Sequence, residues 1–175
     1  MNSTRRESLS LLYLLGGVIF ILDQFTKLLA EAWLEPFGRT VVLVPWADLL
    51  RLRYVTNPGA AWGILPGYIW LFVLVALGVS LVCLWFMHRY PSSTASWPAV
   101  LLLAGGLGNM VDRLLRPTGV VDFIDMGLYD LRWPTFNLAD VFLTIGIIWL
   151  GKLILFRQLP WDEAGRGAEG SNHLG

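Results

Sequence analysis

Several charged and polar side chains of this 175-residue chain stand in apolar surroundings, where charge is costly and usually functional. Asp122 and Asp125 lie in GVVDFID, an apolar stretch of strand-like character, and Asp140 follows Asn137 in FNLAD. Asp23 and Lys27 interrupt an apolar run at i, i+4. Asn109, Asp112, Arg113 and Arg116 recur at i, i+3, i+4, i+7, which makes one face of a helix polar and leaves the others apolar. Two adjacent carboxyl groups sharing one proton can hydrolyse a peptide without a nucleophilic side chain or a metal: the ionised member activates water and the protonated one polarises the carbonyl. Acids within a membrane also serve proton-coupled carriers, so two kinds of chemistry are open on these residues alone.

The elements that must position them are membrane spans. The chain is 55% hydrophobic and 15% charged, with 13 basic against 13 acidic residues. That neutral balance gives no reason to expect a nucleic-acid surface, and so few charges would cover a soluble protein poorly. Four stretches, 11–34, 68–87, 97–115 and 136–156, reach the ~20 apolar residues a spanning helix needs. The expected fold is an all-α membrane protein, a four-transmembrane-helix bundle. Between helices 1 and 2, over residues 36–64, TVVLVP and LLRLRYVT read as a small β-sheet element on the membrane surface. Residues 1–159 are expected to form one membrane-embedded domain, and 160–175 a flexible tail rich in Gly and charge. Up-and-down tracing brings Asp23, Lys27, Asn109, Asp112, Arg113, Asn137 and Asp140 to one depth, on the side of the two long connections.

Glycines permit such convergence. Gly105, Gly106 and Gly108 precede Asn109 on the third helix, where small residues let neighbouring backbones approach. NPGAAWG at 57–63 is a turn whose Gly59, Ala60 and Ala61 leave room beside the backbone. Trp33, Trp46, Trp62, Trp70 and Trp133 are expected as interfacial anchors, with Trp62 also a candidate for substrate contact. The single Cys83 excludes an internal disulfide, and His88 and His173 belong to no metal motif. Basic residues are spread over both faces, so charge counting does not orient the chain.

Together, DQFTK at 23–27, NPGAAWG at 57–63, GGLGNMVDR at 105–113, VVDFID at 120–125 and FNLAD at 136–140 resemble, in order, the blocks of the lipoprotein signal peptidases (signal peptidase II). The resemblance implies an aspartic endopeptidase of the bacterial inner membrane. Its substrate would be a diacylglyceryl-modified prolipoprotein, cleaved on the N-terminal side of the lipidated cysteine. It places the catalytic pair on Asp122 and Asp140. Asn57, Asn109, Arg113 and Asn137 correspond to residues lining the site, Asp23 and Asp112 to residues supporting it, and Lys27, Gly59, Gly108 and Ala139 share the same blocks. It further implies cytoplasmic termini, with the sheet and catalytic pair at the periplasmic or external face. No cofactor is expected, and the partners are the prolipoprotein and membrane lipids, with the chain a monomer.

Plainer readings stand beside these. Asn137 and Asp140 match an N-terminal helix cap, and that reading is compatible with a site role for Asn137. Asp23 and Lys27 can simply pair, and Asp112 with Arg113 can be a helix-end charge cluster. Asp125 reads as a surface or structural acid, and Asp130 and Arg132 as solvated loop charges. Two other function classes remain: a serine/lysine protease using Ser80 and Lys152, and a proton-coupled carrier. A carrier binds near the bilayer midplane and shows repeated halves, whereas these acids gather at one edge and no repeat is visible.

Overall fold

The computed structural model describes residues 3–59 and 68–162. Four helices in it are long and apolar enough to cross a membrane: α1 (Ser3–Leu34), α2 (Ile69–Arg89), α3 (Ser96–Leu115) and α4 (Leu138–Leu155). α1 begins eight residues before the apolar run that starts at Leu11, because STRRESLS contains no helix breaker. Its polar first turns reach the last turn of α2, where Arg5 donates to the carbonyl of His88 at 2.6 Å.

α3 is the central helix, packing on each of the other three and the most buried of the four. The buried residues of α1 (Leu9, Leu12, Ile19, Asp23, Lys27, Ala30 and Leu34) recur three, four or seven apart and so form one stripe, which faces the bundle along most of the helix and the sheet at its end. The outer faces carry exposed Leu, Ile, Val and Trp, including Leu14, Ile21, Trp70, Val82, Trp85 and Ile148. In water such a surface would aggregate; against lipid tails it is at home. Trp33, Trp46, Trp70 and Trp133 are all largely exposed, as anchors require; Trp62 lies outside the described residues.

Close packing depends on two of the three glycines of GGLG. A Cβ on Gly105 would meet the Ala139 carbonyl oxygen at 2.7 Å, and one on Gly108 would meet Asp23 Oδ2 at 2.5 Å; Gly106 has open space. Gly106 therefore plays no part in the helix approach expected of it. Gly105→Ala should lower stability by about 1–3 kcal/mol, since backbone must yield. Gly106→Ala should be neutral or gain up to about 1 kcal/mol from helix propensity. Thermal unfolding of both variants in detergent compares them, and equal midpoints would contradict this packing.

The sheet is larger than expected. Strands β1 (Thr40–Val44), β2 (Leu50–Asn57), β3 (Val120–Leu128) and β4 (Leu131–Arg132) pair antiparallel in that order, so both long connections build it. β3 reads VVDFIDMGL, apolar on both faces, and such a strand needs cover on both sides. Val121 and Phe123 pack with Ala30 and Leu34 of α1, which fixes the sheet on the end of the bundle. Gly119 turns the chain into β3 with φ +99°, where a Cβ would strike the Asn57 backbone.

Candidate active site

β2 and β3 bring the first part of the site together. Their register sets Asn57 opposite Val120, two residues from Asp122 on the same strand face. The Asn57 amide donates to Asp122 Oδ2 at 3.1 Å, and its own Oδ1 accepts from the Gly59 N–H at 3.1 Å, an Asx turn that holds the side chain in place.

α4 supplies the second part. Asn137 caps it, accepting from the Asp140 N–H at 3.0 Å, while Asp140 Oδ2 accepts from the Asn137 N–H at 3.1 Å. The cap reading is thus correct, and Asn137 also reaches further. Its Nδ2 lies 2.7 Å from Asp122 Oδ1, 3.1 Å from Asn109 Oδ1 and 3.2 Å from the Val121 carbonyl. One cap residue therefore touches both Asp122 and Asp140.

α3 and α1 supply the third. Asn109 Nδ2 donates to Asp140 Oδ1 at 2.8 Å, and Lys27 Nζ donates to Asn109 Oδ1 at 3.0 Å, so the amide's orientation is set from both ends. Lys27 is fully buried between Asp23 at 2.8 Å and Asp112 at 2.9 Å. Each of those acids holds a further element. Asp23 Oδ1 accepts the Ala139 N–H at 2.9 Å, and Asp112 Oδ2 accepts the Val121 N–H at 3.2 Å. Asp23 and Lys27 do pair at i, i+4, but inside a buried network rather than on a surface. Asp112 does join a charge cluster near the end of α3, but a fully buried one, in which it also accepts from Gln24 and Arg116. Arg113 points elsewhere: it donates to the Gly59 carbonyl at 2.9 Å and lies over the Phe72 ring at 5.2 Å.

Asp122 and Asp140 both open into a cavity of about 770 Å³, lined also by Asn57, Asn109 and Arg113. Its remaining walls are mostly apolar, from Leu49, the end of β3, the segment 133–136 and the first turns of α4. Asp122 is only 3% exposed. Burial, and then the nearby charge of Asp140, push its carboxyl up to about 7, against the opposing hydrogen bonds from Asn57 and Asn137 and the charge of Lys27. A carboxyl group in that range is half-protonated near neutrality, which suits an acid–base pair.

All the expected site residues among those described thus fall in or directly behind this cavity, Gly108 and Ala139 through their contact with Asp23. Ala60, Ala61, Trp62 and Gly63, and the tail beyond 162, lie outside the described residues. Of the two readings open for Asp125 the structural one holds, and the reading of Arg132 as a solvated loop charge does not. Asp125 is not a surface acid but fully buried, and Arg132 is not a solvated loop charge but its partner at 2.9 Å, because β4 lies against β3 with Arg132 opposite Gly127. The Ser80 and Lys152 pair does not form: Ser80 Oγ is buried without a hydrogen-bond partner, and Lys152 is exposed. Gln24, to which the sequence assigned no site role, donates its amide to Asp23, to Asp112 and to the Gly108 carbonyl. A glutamine inside an apolar helix, beside an acid, was the available signal. Among the described residues no group of three or more His, Cys, Asp or Glu side chains comes together as a ligand set.

Comparison with known proteins points one way. A family model described as Signal peptidase (SPase) II matches residues 15–156. The lipoprotein signal peptidase of Rhodococcus jostii (strain RHA1) is 40% identical, over 91% of this chain and 79% of that protein. That of Mycobacterium leprae (strain Br4923) is 36% identical, over 90% and 77%. A bacterial membrane enzyme solved by the in meso method at 2.3 Å superposes with TM-score 0.73 at 33% identity, covering 83% of this chain and 88% of that one.

Proposed function

The chain belongs to the signal peptidase II family, a peptidase of the bacterial membrane, and from that membership we propose that it releases signal peptides from prolipoproteins by means of an Asp122–Asp140 dyad. One observation carries the reading: the two carboxyl groups open into one largely apolar cavity and are bridged by the same side chain, Asn137.

Asp140 is the ionised member. It lies in the first turn of α4, where the helix dipole favours negative charge, and two N–H donors face its oxygens. It takes a proton from water while Asp122, protonated, donates a hydrogen bond to the scissile carbonyl. The tetrahedral intermediate then collapses as a proton passes to the leaving amine, and each carboxyl group returns to its starting state. Asn57 and Asn137 orient Asp122, Asn109 orients Asp140, and Arg113 and the Asn57 turn stand ready for the substrate backbone and lipid linkage. We read the apolar walls as the seat of the acyl chains of a diacylglyceryl-cysteine, and the cut as falling on the N-terminal side of that residue. We place the termini in the cytoplasm of a bacterium's inner membrane, the sheet and dyad at the external face, and read the enzyme as a monomer with lipid as its surroundings.

The pH dependence follows from Asp122. Its proton is held until the pH passes about 7, so kcat/KM for a lipidated peptide should fall on the alkaline side through that region. An acid limb should appear where Asp140 takes up its proton. A profile flat through neutrality, or one rising with pH, would overturn the assignment.

A further inference from the structure

Asp125 lies outside the dyad's hydrogen-bond network, is fully buried, and collects three guanidinium groups. Its Oδ2 accepts from Arg51 at 3.0 and 3.1 Å with Arg53 at 3.4 Å, and its Oδ1 accepts from Arg132 at 2.9 Å. Arg132 also donates to the Asp125 carbonyl at 3.0 Å and to the Asp48 carbonyl at 2.6 Å. A buried ionic cluster of this kind adds little to folding compared with apolar packing, so what it holds is the question.

It holds strained backbone. Ala47, Asp48 and Tyr129 have φ of 53°, 54° and 50°, a left-handed conformation that residues bearing a Cβ rarely adopt. Such conformations persist where surrounding contacts over-determine them, and they concentrate at functional sites. Here the contacts link the two long connections: the Tyr129 N–H donates to the Ala47 carbonyl at 2.8 Å, and Arg132 clamps the Asp48 carbonyl.

Each arginine also stands beside part of one cavity wall. Arg51 follows Leu49 closely in the chain, Arg132 immediately precedes Trp133, and Arg53 donates to Thr135 Oγ1 at 2.9 Å; Leu49, Trp133 and Thr135 all line the cavity. The dyad is held separately. The Phe136 N–H and carbonyl pair with Ile124 at 3.0 and 2.8 Å, and this ladder sets Asn137 without help from Asp125.

We propose that Asp125 is a positioning residue for substrate binding: through Arg51, Arg53 and Arg132 it fixes the wall formed by Leu49, Met126, Leu128, Trp133 and Thr135, and so sets affinity for the lipidated peptide without touching the reacting atoms. The inference rests on the reading of this cavity as the substrate site.

Steady-state cleavage of a diacylglyceryl-peptide by purified full-length protein tests it. Asp125→Asn should raise KM by about tenfold or more and leave kcat within about threefold of wild type, and Asp125→Glu should recover most of the lost KM. If Asp125→Asn does not fold, Arg132→Gln decides instead, since Asp125 then keeps Arg51 and Arg53; its KM should rise about threefold or more. A lower kcat at unchanged KM, or no change in either variant that folds, would overturn the proposal. Asp122→Asn assayed alongside separates the two levels. Should it still cleave, the reading of the site has failed; should it be inactive while KM is unmoved by Asp125→Asn, only the positioning role has failed.

Discussion

Asp140→Asn and Asp122→Asn should each reduce cleavage of a lipidated prolipoprotein by roughly 10²–10⁴-fold, the range expected when a general acid or base is lost. The two substitutions preserve size and remove one function each. In Asp140→Asn no carboxylate remains to accept the proton of water, and the new amide must set an N–H against either the Asn109 amide or the Asn137 N–H. In Asp122→Asn the carbonyl-polarising proton is gone, and the amide faces the donors of Asn57 and Asn137. If the carboxyl groups act as the proposed dyad, the double variant should be no slower than the worse single one. Initial rates with purified protein in detergent measure this. Either variant within about tenfold of wild type would remove that residue from the chemistry.

The second large effect is on stability. Lys27→Met should destabilise the fold by about 3–5 kcal/mol, the usual consequence of removing one partner from a buried ion pair. The lysine lies at zero exposure between Asp23 and Asp112, and its removal strands two carboxylates whose other contacts tie α1 to the start of α4 and α3 to β3. Asn109 also loses the donor that fixes its amide beside Asp140, so activity should fall with stability. A thermal midpoint equal to wild type in the same detergent would show that the network contributes nothing to folding.

How much of this could be read in advance depended on the range of the interaction. Span length marked all four helices, and the spacing of Asn109, Asp112, Arg113 and Arg116 marked one polar face. The structure divides that face: Asn109 turns to Asp140, Arg113 to the Gly59 carbonyl, and Asp112 to Lys27 and Arg116. Local patterns of this sort survive into the fold because a helix fixes them. Asn57 beside Asp122 did not follow from either segment alone, since it needs the register of two strands 65 residues apart. Pairing between distant segments also hid the burial of Asp125, whose partners Arg51 and Arg53 come from the first connection and Arg132 from the second. The wall at 133–136 was invisible for a different reason: an irregular segment carries no period to read. The block resemblance reached Asp122 and Asp140 before any of this geometry, because it compares residues rather than contacts.

Identification of the products is the most direct test of the central claim. Purified protein is incubated with a diacylglyceryl-prolipoprotein and with the same chain left unlipidated, and the fragments are weighed by mass spectrometry, with Asp140→Asn run in parallel. The dyad account predicts a mature fragment beginning at the lipidated cysteine, formed by the wild type from the lipidated chain and not formed by the variant. Cleavage at another bond, or the same fragment produced by Asp140→Asn at the wild-type rate, would contradict it.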